Sequence, residues 1–353
     1  MGTQTPAAHA PGGLEELTAR LRLGASRLDR SGQWLEPQLE HFDAIGGWRW
    51  GIPSQYGGVD MAPVAMMHGF VAIAAGDMSA ALYLTQHAGA TELLMSSPNH
   101  GLIAEVAPTL AAGRTRLTIG YSQLTTSHQD GPPVMRAERR GDQFVFFGFM
   151  PWVTGALQVD AVAAGAVLDS GEQIVVLLPF KTAGVTIEPA MDLLALNSSQ
   201  TSVVRCDGVA IAADQLIVGP SENVFAIAGL RGLAVSACGI GLLASILARI
   251  DADRAKLPAG ADLDGLWTQY HALHEGLTQL ALIGSPSPDS VLELRVNVNQ
   301  ALLIGAGVMM TVGKGRGFAI GEEAARLYRE ASFFCVWSAS DAVRAATINA
   351  LQA

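Results

Sequence analysis

Pro151-Trp152-Val153-Thr154-Gly155 closes an alternating apolar run, Gln143-Phe144-Val145-Phe146-Phe147-Gly148-Phe149. Successive side chains of a strand point to opposite faces, so an indole and a hydroxyl two residues apart share one face. A flat aromatic beside a small hydroxyl donor suits a flavin. The indole covers a ring face and the hydroxyl reaches a ring nitrogen or oxygen. The same residues also describe a half-buried tryptophan at a strand end, and the rest of the chain must decide between the two. Gly313-Lys314-Gly315-Arg316-Gly317 offers backbone amides and two cations to a phosphate, or forms a glycine-rich turn of a helical bundle. His271 and His274 lie one helical turn apart beside Glu275. No second ligand pair accompanies them, so they describe a solvated helix face rather than a metal site. No GxSxG, Walker A or Cys/His nucleophile pattern stands out.

Three blocks must position these groups. Residues 14–30 place Leu14, Leu17, Leu21 and Leu28 among Glu and Arg, an amphipathic helix, and a second helix precedes Gly46-Gly47. Trp48 to Gly58 is a loop rich in Pro and paired Gly. From Pro63 to Ser96 only Asp77 and Glu92 interrupt an Ala/Met/Leu-rich stretch, which predicts one or two buried helices. A short helix covers Ile103 to Ala112. At Arg116 the pattern turns to strands: Leu117–Ser122, Val134–Glu138, Gln143–Phe149, Val159–Val167, Gln173–Phe180 and Thr201–Cys206, with turns at Gly141-Asp142 and Ser170-Gly171. This predicts an antiparallel barrel or sandwich. Helices return over 224–255, 262–283, 287–314 and 321–351. The fold class is α+β, divided as 1–115, an N-terminal helical domain; 116–222, a middle β domain; and 223–353, a C-terminal helical bundle.

The 353 residues carry 22 Lys and Arg against 32 Asp and Glu, a net charge of −10. With no basic cluster, nucleic acid is not expected as a partner. Half the residues are hydrophobic and only 15% are charged, so much surface must be buried, some of it between subunits. Cys206, Cys238 and Cys335 are widely spaced and odd in number, as expected of reduced core thiols in a cytoplasmic protein. The tail Met1–Gly13 has no signal-peptide pattern. The charge-free span Gly232–Ala248 is short of the roughly 20 residues a bilayer needs, so it predicts a bundle helix and no membrane partner.

The order helices, small β block, helical bundle resembles the acyl-CoA dehydrogenase superfamily, over about residues 14–351. Ile52-Pro53-Ser54-Gln55-Tyr56-Gly57-Gly58 looks like that family's "P-E-x-Y-G-G" loop. Arg136–Phe144 followed by Pro151–Thr154 looks like its "A-x-x-x-G-D-x-Y-x-L-x-G-x-K-x-W-I-T" segment. Cys206–Ile217 is similar to "F-D-D-V-x-V-P-x-E-N-L-L". Gly315-Arg316-Gly317-Phe318 with Arg326–Ala331 resembles "G-N-G-Y … R-x-x-R-D-A". The resemblance implies FAD, with Trp152 packed on the flavin and Thr154 near its N5. It also implies that Ser122, Thr125 and Ser127 run along the flavin and pyrophosphate, and that Arg254, Gly315 and Gly317 serve the adenine end held by a partner subunit.

The departures from the family pattern carry the functional expectation. The family's dehydrogenases need a carboxylate base. With Arg344 matched to the motif Arg, the commoner base position holds Trp337; the alternative, matched through Arg231, holds Leu230. Neither accepts a proton; Asp341, one turn beyond Trp337, is either the substitute or part of a solvated helix face. On the adenine side Thr311 stands for a Gln, Lys314 for a Gly, and the "F-G" after Arg254 is missing. Monooxygenases of the superfamily use polar groups near the flavin instead, which makes His87, His128 and Ser122 candidates. His87 equally suits a satisfied core residue. The expected function is a flavin-dependent, monooxygenase-like oxidoreductase on a small apolar or carrier-bound substrate, as a homo-dimer or tetramer. The alternatives are a base-less subunit of a hetero-oligomeric acyl-CoA dehydrogenase, and a fold-only member that binds or transforms a ligand without FAD.

Overall fold

A computed structural model describes residues 13–127, 131–225, 231–261 and 263–352, with Arg231 described by its backbone alone. His128 and Leu230, both named above, lie outside the described residues. The N-terminal block holds α1 (Leu14–Ser31), α2 (Glu36–Ala44), α3 (Pro63–Gly76), α4 (Met78–Met95) and α5 (His100–Ala111). The uncharged stretch from Pro63 is two helices because Asp77, in extended conformation, interrupts it and caps α4 by accepting from the N–H groups of Ser79 and Ala80.

Eight strands follow: β1 (Leu117–Gly120), β2 (Met135–Arg140), β3 (Gln143–Val153), β4 (Ala161–Leu168), β5 (Gln173–Pro179), β6 (Val185–Ile187), β7 (Ser202–Ala212) and β8 (Leu216–Ser221). They form one sheet in the order β6-β7-β3-β2-β4-β5-β8, with β1 paired to β4. The sheet is mixed rather than purely antiparallel, because β4 runs parallel to both β1 and β2. Its central strands are buried on both faces. Ala161, Ala163, Val175 and Leu177 pack against α4 and α5, while Val162, Ala164, Ile174 and Val176 face the strands β2, β3 and β7. Burial on both sides is why β4 and β5 are continuously apolar rather than alternating.

The C-terminal block is α6 (Arg231–Ala252), α7 (Asp264–Ile283), α8 (Pro288–Gly317), α9 (Glu323–Phe333) and α10 (Asp341–Ala350). By length and composition Gly232–Ala252 could cross a membrane, but 72% of its apolar window is buried in the fold. Its small residues allow close crossings: a Cβ on Gly241 would collide with the Val71 carbonyl of α3, and one on Gly239 with Val298 of α8. The single helix expected over 321–351 is two. Ser338 adopts φ 47° and Ser340 caps α10 by accepting from the Val343 N–H. The buried Arg295 of α8 holds this break in place, donating to the carbonyls of Phe334 at 2.9 Å and Trp337 at 2.8 Å. Within the glycine-rich segment Lys314, at φ 52°, breaks α8 into two helical pieces joined by a kink.

Candidate functional site: an apolar cavity beside a strand end

One cavity of about 270 Å³ lies where the three blocks meet. α3 contributes Met66, Met67 and Phe70, and α4 contributes Thr85, Ala88, Gly89 and Glu92, each set at helical spacing. Trp50 and Met61 come from the loop before α3, and Ile119 and Tyr121 from β1 and its exit. Ala234 and Val235 of α6 complete one side, and Trp337 and Ser338 close one end. The surface is aromatic, thioether and aliphatic, with Glu92 the one acid among the described lining residues. Glu92 was legible as one of two charges in the Pro63–Ser96 stretch, but nothing in the pattern told which face of α4 it would occupy.

Trp337 forms a wall. It is 7% exposed, stacks on Phe333 at 5.4 Å between ring centroids, and meets Phe334 edge-on at 5.5 Å. Arg295 grips its carbonyl while lying over the Phe334 ring at 5.3 Å. Burial pushes the Arg295 guanidinium down to about 10. The position matched to the family's base is therefore part of the cavity, and it presents an indole.

Neither Asp341, the substitute base, nor His87, the polar candidate, lines the cavity. Asp341 opens α10 with its side chain 97% exposed, paired to Arg344 at 3.0 Å, and is not among the residues lining the cavity. His87 sits on α4 between cavity-lining neighbours, yet its ring packs on Trp48 at 5.2 Å instead of lining the cavity. Its Nδ1 accepts the Leu117 N–H at 3.1 Å. A nitrogen that accepts carries no proton, so the neutral ring keeps its proton on Nε2 and offers only a donor. Burial pushes its pKa down to about 4. The alternation that put Trp152 and Thr154 on one face also needs correction. Pro151 has no N–H for the ladder, the pairing of β3 with β7 shifts register between Met150 and Val153, and β3 ends there. Trp152 is left 50% exposed, while Thr154 is buried, its hydroxyl 3.4 Å from that of Thr201.

Whether these residues fit a flavin has two answers. At the β3 end they fit. Gly120 approaches Met150 so closely that a Cβ there would collide with its thioether. The turn after β1 and the end of β3 are thus neighbours, bringing Ser122 toward Trp152. The Ser122 hydroxyl is buried with no hydrogen-bond partner among the described residues, and a buried hydroxyl left unpaired calls for a polar ligand atom or water. The half-exposed Trp152 indole, two residues beyond Met150, offers a stacking surface. The phosphate and adenine side does not fit. The amides of Thr125, Thr126 and Ser127 all donate to the Ser122 carbonyl, at 3.0, 2.8 and 2.9 Å. The exposed Thr125 hydroxyl reaches the same carbonyl at 3.3 Å. Arg254 is paired with Asp251 at 3.4 Å, Arg316 lies 3.5 Å from Glu322, and Gly315 and Gly317 belong to the end of α8.

His271 and His274 take part in an aromatic group on α7. His274 stacks on His68 of α3 at 5.0 Å, and the His68 Nε2 bonds the Thr278 hydroxyl at 3.0 Å. Among the described residues no group of three or more His, Cys, Asp or Glu side chains could hold a metal.

No protein-family profile matches the chain. A curated relative, the probable acyl-CoA dehydrogenase YngJ of Bacillus subtilis (strain 168), is 22% identical over 234 residues, covering 63% of this chain. The match covers 61% of that relative, so the chain spans about three-fifths of its length. Butyryl-CoA dehydrogenase from Megasphaera elsdenii superposes over 100% of both chains with a TM-score of 0.79 at 15% identity. This chain has the fold of the acyl-CoA dehydrogenases. Its α+β architecture of helices, central sheet and helical bundle is that superfamily's fold. The likeness extends to a dibenzothiophene monooxygenase from Paenibacillus sp. A11-2, with a TM-score of 0.76 at 16% identity over 93% of each chain. At such identities these structures share the fold with this chain, and its chemistry has to be argued from its own residues.

Proposed function

We propose that this protein is a flavin-dependent oxidoreductase that does not desaturate acyl-CoA thioesters, acting instead in a monooxygenase-like manner on a small apolar or carrier-bound substrate. The observation that carries this reading is Trp337, whose indole lines the cavity at the position where the superfamily's pattern calls for a carboxylate. Proton abstraction needs a group that accepts a proton within reach of the substrate, and an indole N–H is a donor only. A bound flavin would supply the redox chemistry. The chain would supply an aromatic and thioether surface that holds an apolar substrate and excludes water. The Ser122 hydroxyl is a donor for a flavin heteroatom, and the Trp152 indole is its stacking surface. The monooxygenase among the structural neighbours supports this reading by fold alone.

The test is dye reduction by the purified, flavin-supplemented protein with butyryl-CoA and octanoyl-CoA. No turnover is expected. Robust turnover by the protein alone would overturn the proposal and place a working base in the cavity, with Glu92 the acid to replace first.

A second reading, a base-less subunit of a hetero-oligomeric acyl-CoA dehydrogenase, is favoured by the exposed apolar residues after α8. Phe318 is 80% exposed and Ile320 94%. Side chains of this kind left in water mark a surface for another chain. Co-expression with a homologous subunit that carries the glutamate separates the two: activity that appears only in the mixed assembly selects this second reading.

A further inference from the structure

We infer that this chain recognises a flavin through the isoalloxazine end alone, so that FAD, FMN and riboflavin are near-equivalent, exchanging ligands rather than one of them a resident cofactor. The inference rests on the flavin reading above and narrows it. Tight binding of a dinucleotide needs donors aimed at its phosphates, from unpaired backbone amides, helix N-termini or free cations. Of the groups that the resemblance aims at the phosphates, those described are engaged, apart from the exposed Lys314 of α8. Three consecutive amides, of Thr125, Thr126 and Ser127, converge on one carbonyl, that of Ser122. Arg254 sits in a short turn where Arg249, Arg254 and Lys256 face Asp251 and Asp253, so the local cations are largely neutralised. The glycine-rich segment is two helical pieces joined by a kink at Lys314 rather than an open loop, and its Arg316 faces Glu322. A net charge of −10 adds no general attraction for further phosphates.

The strand-end groups are in the opposite condition. The Ser122 hydroxyl is buried without a partner, and the Trp152 indole is half exposed at the end of an otherwise apolar strand. Ser122 follows Tyr121, which is part of the cavity lining. Ring recognition with little recognition of the phosphates is what this distribution of used and unused groups supports.

Calorimetric titration of the full chain, in its native assembly, with FAD, FMN and riboflavin tests this. The three dissociation constants should agree within about threefold, since one charge-assisted contact to the extra phosphate would separate them by about tenfold. Trp152→Ala should weaken all three by a common factor of about five, and Trp152→Phe should restore most of it by keeping a stacking ring. FAD bound tenfold or more tightly than FMN would overturn the inference while leaving the flavin reading intact. Loss of that advantage in Arg254→Ala would then locate the adenine site. An unchanged affinity in Trp152→Ala would also overturn it. Absence of binding by all three flavins would overturn the flavin reading itself.

Discussion

Replacing Trp337 by Ala probes the wall that distinguishes this cavity. The indole is 7% exposed, stacked on Phe333 and in edge contact with Phe334. Truncating a core Trp or Phe to Ala costs about 3–5 kcal/mol, the spread reflecting how far the site can collapse. Part of the Trp337 surface faces an existing cavity rather than packed atoms, so the loss should fall at the lower end, about 3 kcal/mol. With a urea m-value of about 3 kcal/mol/M for a chain of this size, the midpoint should drop by roughly 1 M. Equilibrium unfolding by far-UV circular dichroism reads this directly, and Trp337→Phe should recover most of the loss. The vacated space should accept indole from solution, which at about ten times its Kd would return about 1.4 kcal/mol. A midpoint shift below about 0.3 M in Trp337→Ala, with no response to indole, would refute the reasoning, because the side chain would then not be the packed wall described.

Three further outcomes follow from the same structure. Burial lowers the His87 pKa from 6.5 to about 4. This group therefore contributes stability that is fully present above pH 6.5 and is lost as pH falls through about 4, about 3 kcal/mol at 1.36 kcal/mol per pH unit. The pH dependence of the urea midpoint over that window should flatten in His87→Gln, and an unchanged acid slope would show that the ring is not buried neutral. Arg326→Met leaves Glu330, at 2% exposure, without the guanidinium that binds both its carboxylate oxygens at 3.0 and 2.9 Å, and should cost about 3–5 kcal/mol. Arg326→Met with Glu330→Leu should recover much of that, and a single variant as stable as the parent would remove the pair from the account. Finally, the exposed Phe318, Ile320 and Val336 predict self-association through the C-terminal block, with an interface above roughly 2,000 Å²; light scattering on flavin-free protein giving a monodisperse species near 36.9 kDa would exclude it.

The sequence by itself determined the block order, the positions of most helices, and the loss of both expected carboxylates. These depend on local pattern: amphipathic spacing over Leu14–Ser31, proline and serine at the start of α8, and residue identity at position 337. It also showed that the adenine-side motif had eroded, since missing residue types need no coordinates to be noticed. Only the tertiary structure decided which polar groups are free to act. His87 Nδ1 is taken by Leu117, thirty residues away in sequence, and Asp341 stands on an exposed helix end. Trp152 and Thr154 parted because Pro151 disturbs the ladder with β7, a strand some fifty residues later. The break between α9 and α10 is held by Arg295 from another helix. A hydrogen bond satisfied across the fold leaves no mark on local periodicity. The pattern could therefore name the residues, while their availability was fixed by neighbours that only folding brings within reach.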